Sequence, residues 1–165
     1  MQHVQTRSTT SALVLTAVLI ALATLFTMYT KIPVPGIRGY FNVGDVVIMT
    51  SALLLGRKYG AYIGAIGPAL ADLFLGYAVF VPITFVVKGL EGYLVGTVYN
   101  HKTTTSALVA TIVGGIVIVA GYFIAEYFVF DPGVAIASIL TNSIQAVMSV
   151  IVSMILYSIL RKRLG

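Results

Sequence analysis

Asp45, Asp72, Lys88 and Glu91 lie inside or beside apolar stretches long enough to approach a membrane span. A charge in hydrocarbon costs roughly 3 kcal/mol on insertion scales, so such residues usually pair, bind a ligand or carry protons. Lys88 and Glu91 stand three residues apart, a spacing that puts both side chains on one helix face. Asn142 and Gln145 repeat that spacing. Each feature has a plainer explanation. Lys88 and Glu91 form a self-neutralising pair on that explanation, and Asp72 serves as a partner for Lys88 across the bundle. Asp45 then sits near a helix N-terminus, where the dipole favours an acid. Asn142 and Gln145 would be interhelical hydrogen-bond glue. The chain has no cysteine and no metal-ligand spacing or nucleophile–base arrangement. No catalytic residue, metal or cofactor is therefore expected.

The elements that must position these groups are membrane helices. The chain has 165 residues, 59% of them hydrophobic and only 9% charged, and a mean hydropathy of +1.02. Soluble domains run at about 25% charged residues. Apolar runs extend over 11–29, 43–55, 59–78, 82–99, 107–130 and 134–160. The first is expected to be a retained helix rather than a cleaved signal. Loop chemistry separates it from the second run, with Pro33, Pro35, Gly36 and Gly39 between Lys31 and Tyr40. The second run is short, about 20 Å as a helix. Asp131-Pro132-Gly133 reads as a turn. The expected fold is an all-α membrane protein, a six-transmembrane-helix bundle forming a single domain over 1–165.

Six spans put both termini on one side. With them lie Arg7, Arg57, Lys58, Lys102, Arg161, Lys162 and Arg163, while Lys31, Arg38 and Asp131 lie opposite. The positive-inside rule then makes the N- and C-termini cytoplasmic. The net charge of +5 is thus a topology signal and calls for no nucleic acid. In this frame Asp72, Lys88, Glu91, Asn142 and Gln145 fall in the outer half or near the midplane, with Asp45 at the outer end of its helix. Their shared depth favours a ligand pocket open to the outside and closed below. A channel or proton relay needs polar groups through the full thickness. The small-residue pairs Gly60/Gly64, Gly92/Gly96 and Ala17/Ala21 suggest close helix packing. Lys31 and Arg38 defy the orientation rule, which points to a loop that folds over the pocket or meets an anionic ligand.

Several blocks resemble one family. Gly39-Tyr40-Phe41-Asn42-Val43-Gly44-Asp45, Leu53-Leu54-Leu55-Gly56, Tyr59-Gly60-Ala61 and Gly67-Pro68-Ala69-Leu70-Ala71-Asp72 look like the substrate-binding S components of energy-coupling factor (ECF) vitamin transporters. The likeness continues through Pro82 to Gly92 and Asn142-Ser143-Ile144-Gln145, in order, over nearly the whole chain. The resemblance implies capture of a vitamin from outside, under the loop between the first two helices. It implies as partners a transmembrane coupling subunit and two ATPase subunits. No Gly-x-x-x-x-Gly-Lys-Ser/Thr motif occurs, so ATP hydrolysis would belong to those partners. Family S components dock through an Ala-x-x-x-Ala surface that Ala17 and Ala21 match.

The expected function is therefore a binding subunit in a prokaryotic plasma membrane, embedded in lipid as a multi-pass protein. The branch resembled is that of hydroxymethylpyrimidine and pyridoxine carriers, with pantothenate or riboflavin as alternative cargo. The expected substrate-binding residues are Tyr40, Asn42, Asp45, Asp72, Tyr77, Phe85, Lys88, Glu91, Asn142 and Gln145, the aromatic ones stacking on the ring. The competing classes are a small channel or assembly subunit, and an intramembrane enzyme using Asp72 and Glu91 as acid and base.

Overall fold

The computed structural model describes residues 9–33, 40–100 and 103–164. Arg7, Arg38, Lys102 and the side chain of Tyr40 lie outside the described residues. The helices are α1 (Thr9–Tyr29), α2 (Gly44–Leu55), α3 (Arg57–Phe74), α4 (Phe80–Val98), α5 (Thr104–Val129) and α6 (Pro132–Leu164). Each expected run holds one helix. Four of them, α1, α4, α5 and α6, are long and apolar enough to cross a membrane. The 12 residues of α2 cover about 18 Å, and α3 is the more polar remainder.

The loop after α1 contains two elements the composition did not suggest. Strands β1 (Ile32–Pro33) and β2 (Tyr40–Phe41) pair antiparallel, Ile32 opposite Phe41 and Pro33 opposite Tyr40. β2 also packs against α6. Each strand is only two residues long, too short to leave a periodic signature.

The apolar side of each helix decides its neighbours. α3 touches α1, α2 and α4, α5 lies between α4 and α6, and α2 contacts every other helix. α2 is consequently the central helix, and nine of its residues are buried. Gly56, with φ at +89°, breaks the chain between α2 and α3, a backbone conformation that costs glycine little.

The α3–α4 crossing is the closest in the bundle that glycine makes possible. A Cβ on Gly60 would lie 2.5 Å from the Gly92 carbonyl oxygen, and one on Gly92 would run into the Gly60 backbone. Gly64 similarly faces the Lys88 carbonyl, and Gly96 faces the Arg57 amide. The two glycine pairs read from the sequence therefore lie on the same crossing, where Gly60 and Gly92 meet each other. The third small-residue pair does something else: Ala17 and Ala21 are exposed, while Thr16, Ala23, Thr24 and Thr27 turn inward.

An apolar plug fills the end of the bundle that carries Arg57 and Arg161. It consists of Met49, Ala52, Leu53, Val95, Ala107, Ala110 and Ile118, with Tyr99 and Tyr157. The two tyrosine hydroxyls hydrogen-bond to each other, so this end buries no charge.

Gly92→Ala places a methyl group on backbone atoms of α3 that have no rotamer to change. Overpacking of this kind costs about 1–3 kcal/mol, or roughly 2–12 °C in midpoint at this chain length. Gly89→Ala comes nearest the Ala65 Cβ, at 3.1 Å, with backbone atoms no closer than 3.6 Å, and is expected to cost less than half as much. Thermal unfolding of the two variants in detergent checks the order.

Candidate functional site

Lys88 is the pivot of the site. On α4, Phe80, Thr84, Lys88 and Glu91 recur at helical spacing and are all buried. The Lys88 side chain is only 2% exposed and forms an ion pair with Asp45 of α2. Glu91 Oε2 lies farther off, 3.6 Å from Lys88 Nζ. The ammonium also sits 5.4 Å from the centre of the Tyr122 ring on α5, within cation–π range. One cation is thus shared by two carboxylates and an aromatic face.

Asp45 is fully buried and does not cap its own helix. Its Oδ1 takes Lys88, and its Oδ2 accepts a 2.7 Å hydrogen bond from Gln145 Nε2 of α6. The Gln145 Oε1 in turn accepts from the Asn42 backbone N–H at 3.0 Å. Asn42 Oδ1 accepts from the Gly44 N–H at 2.9 Å, satisfying one of the orphan donors at the start of α2. Gly44 itself is constrained, because a Cβ there would strike the Thr27 hydroxyl. The chain Asn42–Gln145–Asp45–Lys88 therefore joins α2, α4 and α6 before any ligand is considered.

Above this network lies a cavity lined by Thr27, Asn42, Pro68, Asp72, Phe80, Thr84, Lys88, Tyr122, Glu126, Ser138, Asn142 and Gln145. Five helices contribute, α1 and α3 to α6, and Asn42 comes from the residues leading into α2. The space is about 40 Å³. Since about 10–15 Å³ of such space holds one water, the closed cavity holds about three. A vitamin-sized ring enters only if its walls part. The Thr27 hydroxyl and the Asn142 Nδ2 are buried and lack hydrogen-bond partners. Thr84 and Tyr122 share a hydrogen bond at 2.9 Å.

The sequence-derived residues divide into three groups. Asn42, Asp72, Lys88, Asn142 and Gln145 line the cavity. Asp45 and Glu91 lie behind Lys88 and hold it without lining the space. Tyr77 stands beside Phe80, ring centres 6.3 Å apart, with the Lys31 ammonium 5.0 Å from its ring. Phe85 departs from the expectation. It is 50% exposed and absent from the lining, because it falls off the 80–84–88–91 stripe that faces inward. Phe80 occupies the aromatic position instead.

Lining residues that the sequence reading passed over are Thr27, Thr84, Tyr122, Glu126 and Ser138. Glu126 is the most consequential. It is only 4% exposed, and its Oε2 accepts a hydrogen bond from Ser138. It stands near the end of a long apolar run, where a single acid looks like a helix end. With Asp45, Asp72 and Glu91 it makes four of the chain's five acids that sit in buried positions.

This geometry agrees with what known proteins show. A family model described as ECF-type riboflavin transporter, S component, matches residues 7–162. A thiamine precursor transporter, HmpT, from Lactococcus lactis subsp. cremoris (strain MG1363) is 30% identical over 89% of this chain and 83% of its own. An uncharacterized protein of Pyrococcus woesei is 41% identical over 86% of this chain and 96% of its own. Among solved structures, the S component of a bacterial ECF transporter superposes with a TM-score of 0.73 at 22% identity, covering 94% of this chain and 98% of the other. An S-component for biotin from an ECF-type ABC transporter gives 0.61 at 19% identity, covering 92% and 95%.

The unequal sharing of Lys88 yields a ranking. Asp45→Asn removes one half of a buried pair, a change that costs about 3–5 kcal/mol. Glu91→Gln is expected to cost no more than half of that, since neither Glu91 oxygen accepts a hydrogen bond. Denaturant unfolding of both variants in micelles measures the difference. Equal losses would show that the two carboxylates hold Lys88 on the same footing.

Proposed function

The chain belongs to the family of ECF-type transporter S components, and from that premise we propose that it captures a small polar heteroaromatic vitamin precursor, of the hydroxymethylpyrimidine or pyridoxine type, for uptake into a prokaryotic cell. Membership in the family makes it a transport subunit rather than an enzyme. The observation that carries the proposal is the polar cavity that five helices and the segment leading into α2 line at one end of the bundle, with the apolar plug at the other end. An arrangement of this kind binds from one side and does not conduct.

The cargo class follows from the Lys88 network together with the relative that transports a thiamine precursor. Lys88 already meets Asp45 and Glu91, so a carboxylate-bearing vitamin such as pantothenate finds its counter-ion taken. A ring with hydroxyl, ring-nitrogen and amino groups suits the amide and hydroxyl lining better. Among the expected site residues, Asn42, Asp72, Lys88, Asn142 and Gln145 would face this ring, with Asp45 and Glu91 as supports and Tyr40 and Tyr77 near the hairpin. Phe80 replaces Phe85 as the lining aromatic. A second reading, riboflavin, has the description of the family model in its favour. Its three-ring system asks far more expansion of a cavity of about 40 Å³.

In this reading the chain is one domain in the plasma membrane, with six spans. The basic end, with Arg57, Lys58 and Arg161 to Arg163, faces the cytoplasm, and the cavity faces outward. Ala17 and Ala21 are exposed rather than spent on internal packing, which supports their use as the docking seam for a transmembrane coupling subunit. Two partner ATPases would supply the energy.

The purified chain is expected to bind hydroxymethylpyrimidine or pyridoxine with no ATP present, as read by native mass spectrometry or calorimetry. Asp72→Ala or Lys88→Ala is expected to weaken binding by about tenfold or more, the loss of one charge-assisted contact. Ala17→Trp is expected to spare binding and stop uptake by cells carrying the complete transporter. Normal binding and uptake in all three variants would refute the proposal.

A further inference from the structure

Glu126 is a buried carboxylate in the cavity wall whose role the network below does not explain. Among the described residues, the buried ion pairs join Lys88 to Asp45 and Glu91, and Glu126 belongs to neither. It is held only by Ser138, which donates to Oε2. A carboxylate offers about four acceptor positions, so one hydroxyl leaves most of its capacity unspent. Among the residues lining the same cavity, Tyr122 is engaged with Thr84, Asp72 carries the same sign, and the Lys88 ammonium is taken by Asp45 and Glu91. Burying a carboxylate with so little compensation is costly unless a donor arrives.

We infer that Glu126 is the specificity-determining residue that reads an amino group on the cargo, and that Ser138 is the positioning residue that aims it. This rests on the proposal that the cavity binds a small nitrogen heterocycle, and it narrows the class to rings bearing an exocyclic amine. The amine donates to the Glu126 carboxylate in a charge-assisted bond, which is stronger than a neutral one. Two other groups await the same ring. The Asn142 Nδ2, a donor, and the Thr27 hydroxyl, 1% exposed, both lack partners and line the same space. Asn142 thus matches a ring nitrogen, and Thr27 matches a hydroxymethyl arm. The wall therefore presents an acceptor and a donor to opposite needs of one ring. A ring lacking the amine leaves Glu126 buried and unpaired, and such sites reject the deficient analogue strongly.

The test compares two ligands on the full-length protein in detergent by calorimetry. One is hydroxymethylpyrimidine with its ring amino group, and the other is the analogue with hydrogen in place of that group. Wild type is expected to prefer the amino compound by at least about tenfold. Glu126→Gln is expected to reduce that preference to less than about threefold, by weakening the amino compound relative to the analogue. Ser138→Ala is expected to fall between. If Glu126→Gln does not fold, the wild-type preference and its decline in Ser138→Ala carry the test. Wild-type discrimination that survives in Glu126→Gln and Ser138→Ala, or wild type that binds both pyrimidines equally, overturns the inference and leaves the proposed function standing. Wild type that binds neither pyrimidine overturns the proposed function, and the inference falls with it.

Discussion

The buried pair between Asp45 and Lys88 organises this molecule. A lysine and two acids in a fully apolar setting would be prohibitively costly if placed singly. Here each group is spoken for. Asp45 is divided between Lys88 and Gln145, and Gln145 is held by the backbone of Asn42. The network ties the central helix α2 to α4, which the glycine crossing already holds against α3, and to α6, which that crossing does not reach. Two kinds of constraint thus meet in one structure. Backbone contact sets α3 against α4, and electrostatics sets α2 within the ring.

The same pair gives the cavity a floor and walls of different stiffness. The floor is saturated with ionic contacts. The walls contain a hydroxyl, an amide and a carboxylate with spare capacity, on Thr27, Asn142 and Glu126. A cargo that parts the walls replaces weak or missing contacts, whereas one that reaches the floor would have to break strong ones. The boundary between scaffold and recognition therefore runs through Lys88, which is held by Asp45 and Glu91 on one side and lines the cavity with Thr84, one turn away, on the other.

Much of this was legible in the sequence, for identifiable reasons. Helices announce themselves as long apolar runs, and α1, α5 and α6 lie within a few residues of the expected limits. The end of α3 was placed too late, because Leu75 to Val79 stay apolar while Gly76, with φ at +81°, turns the chain. The glycine pairs were visible as packing signals, although that they face each other across α3 and α4 was not. Spacing showed Lys88 beside Glu91 because both lie on one helix. It did not show that Asp45, 43 residues away, is the closer partner, since only the fold sets that distance. Phe85 was misjudged by composition and corrected by helical phase. Glu126 was hidden by the length of the run around it, yet a count of every acid against the apolar segments would have found it.

The shortness of α2 has a consequence for the path of the cargo. Asp45 stands ten residues before the end of the helix at Leu55, or about 15 Å along the axis. The basic residues that mark the membrane boundary follow immediately at Arg57 and Lys58. In a hydrocarbon layer about 30 Å thick, the ionic floor therefore lies at the halfway depth. In the proposed orientation, a ring resting above it would have completed half of its crossing by diffusion alone. On the same proposal, what would remain is the thickness of the apolar plug, and only that second half would require work from outside the bundle.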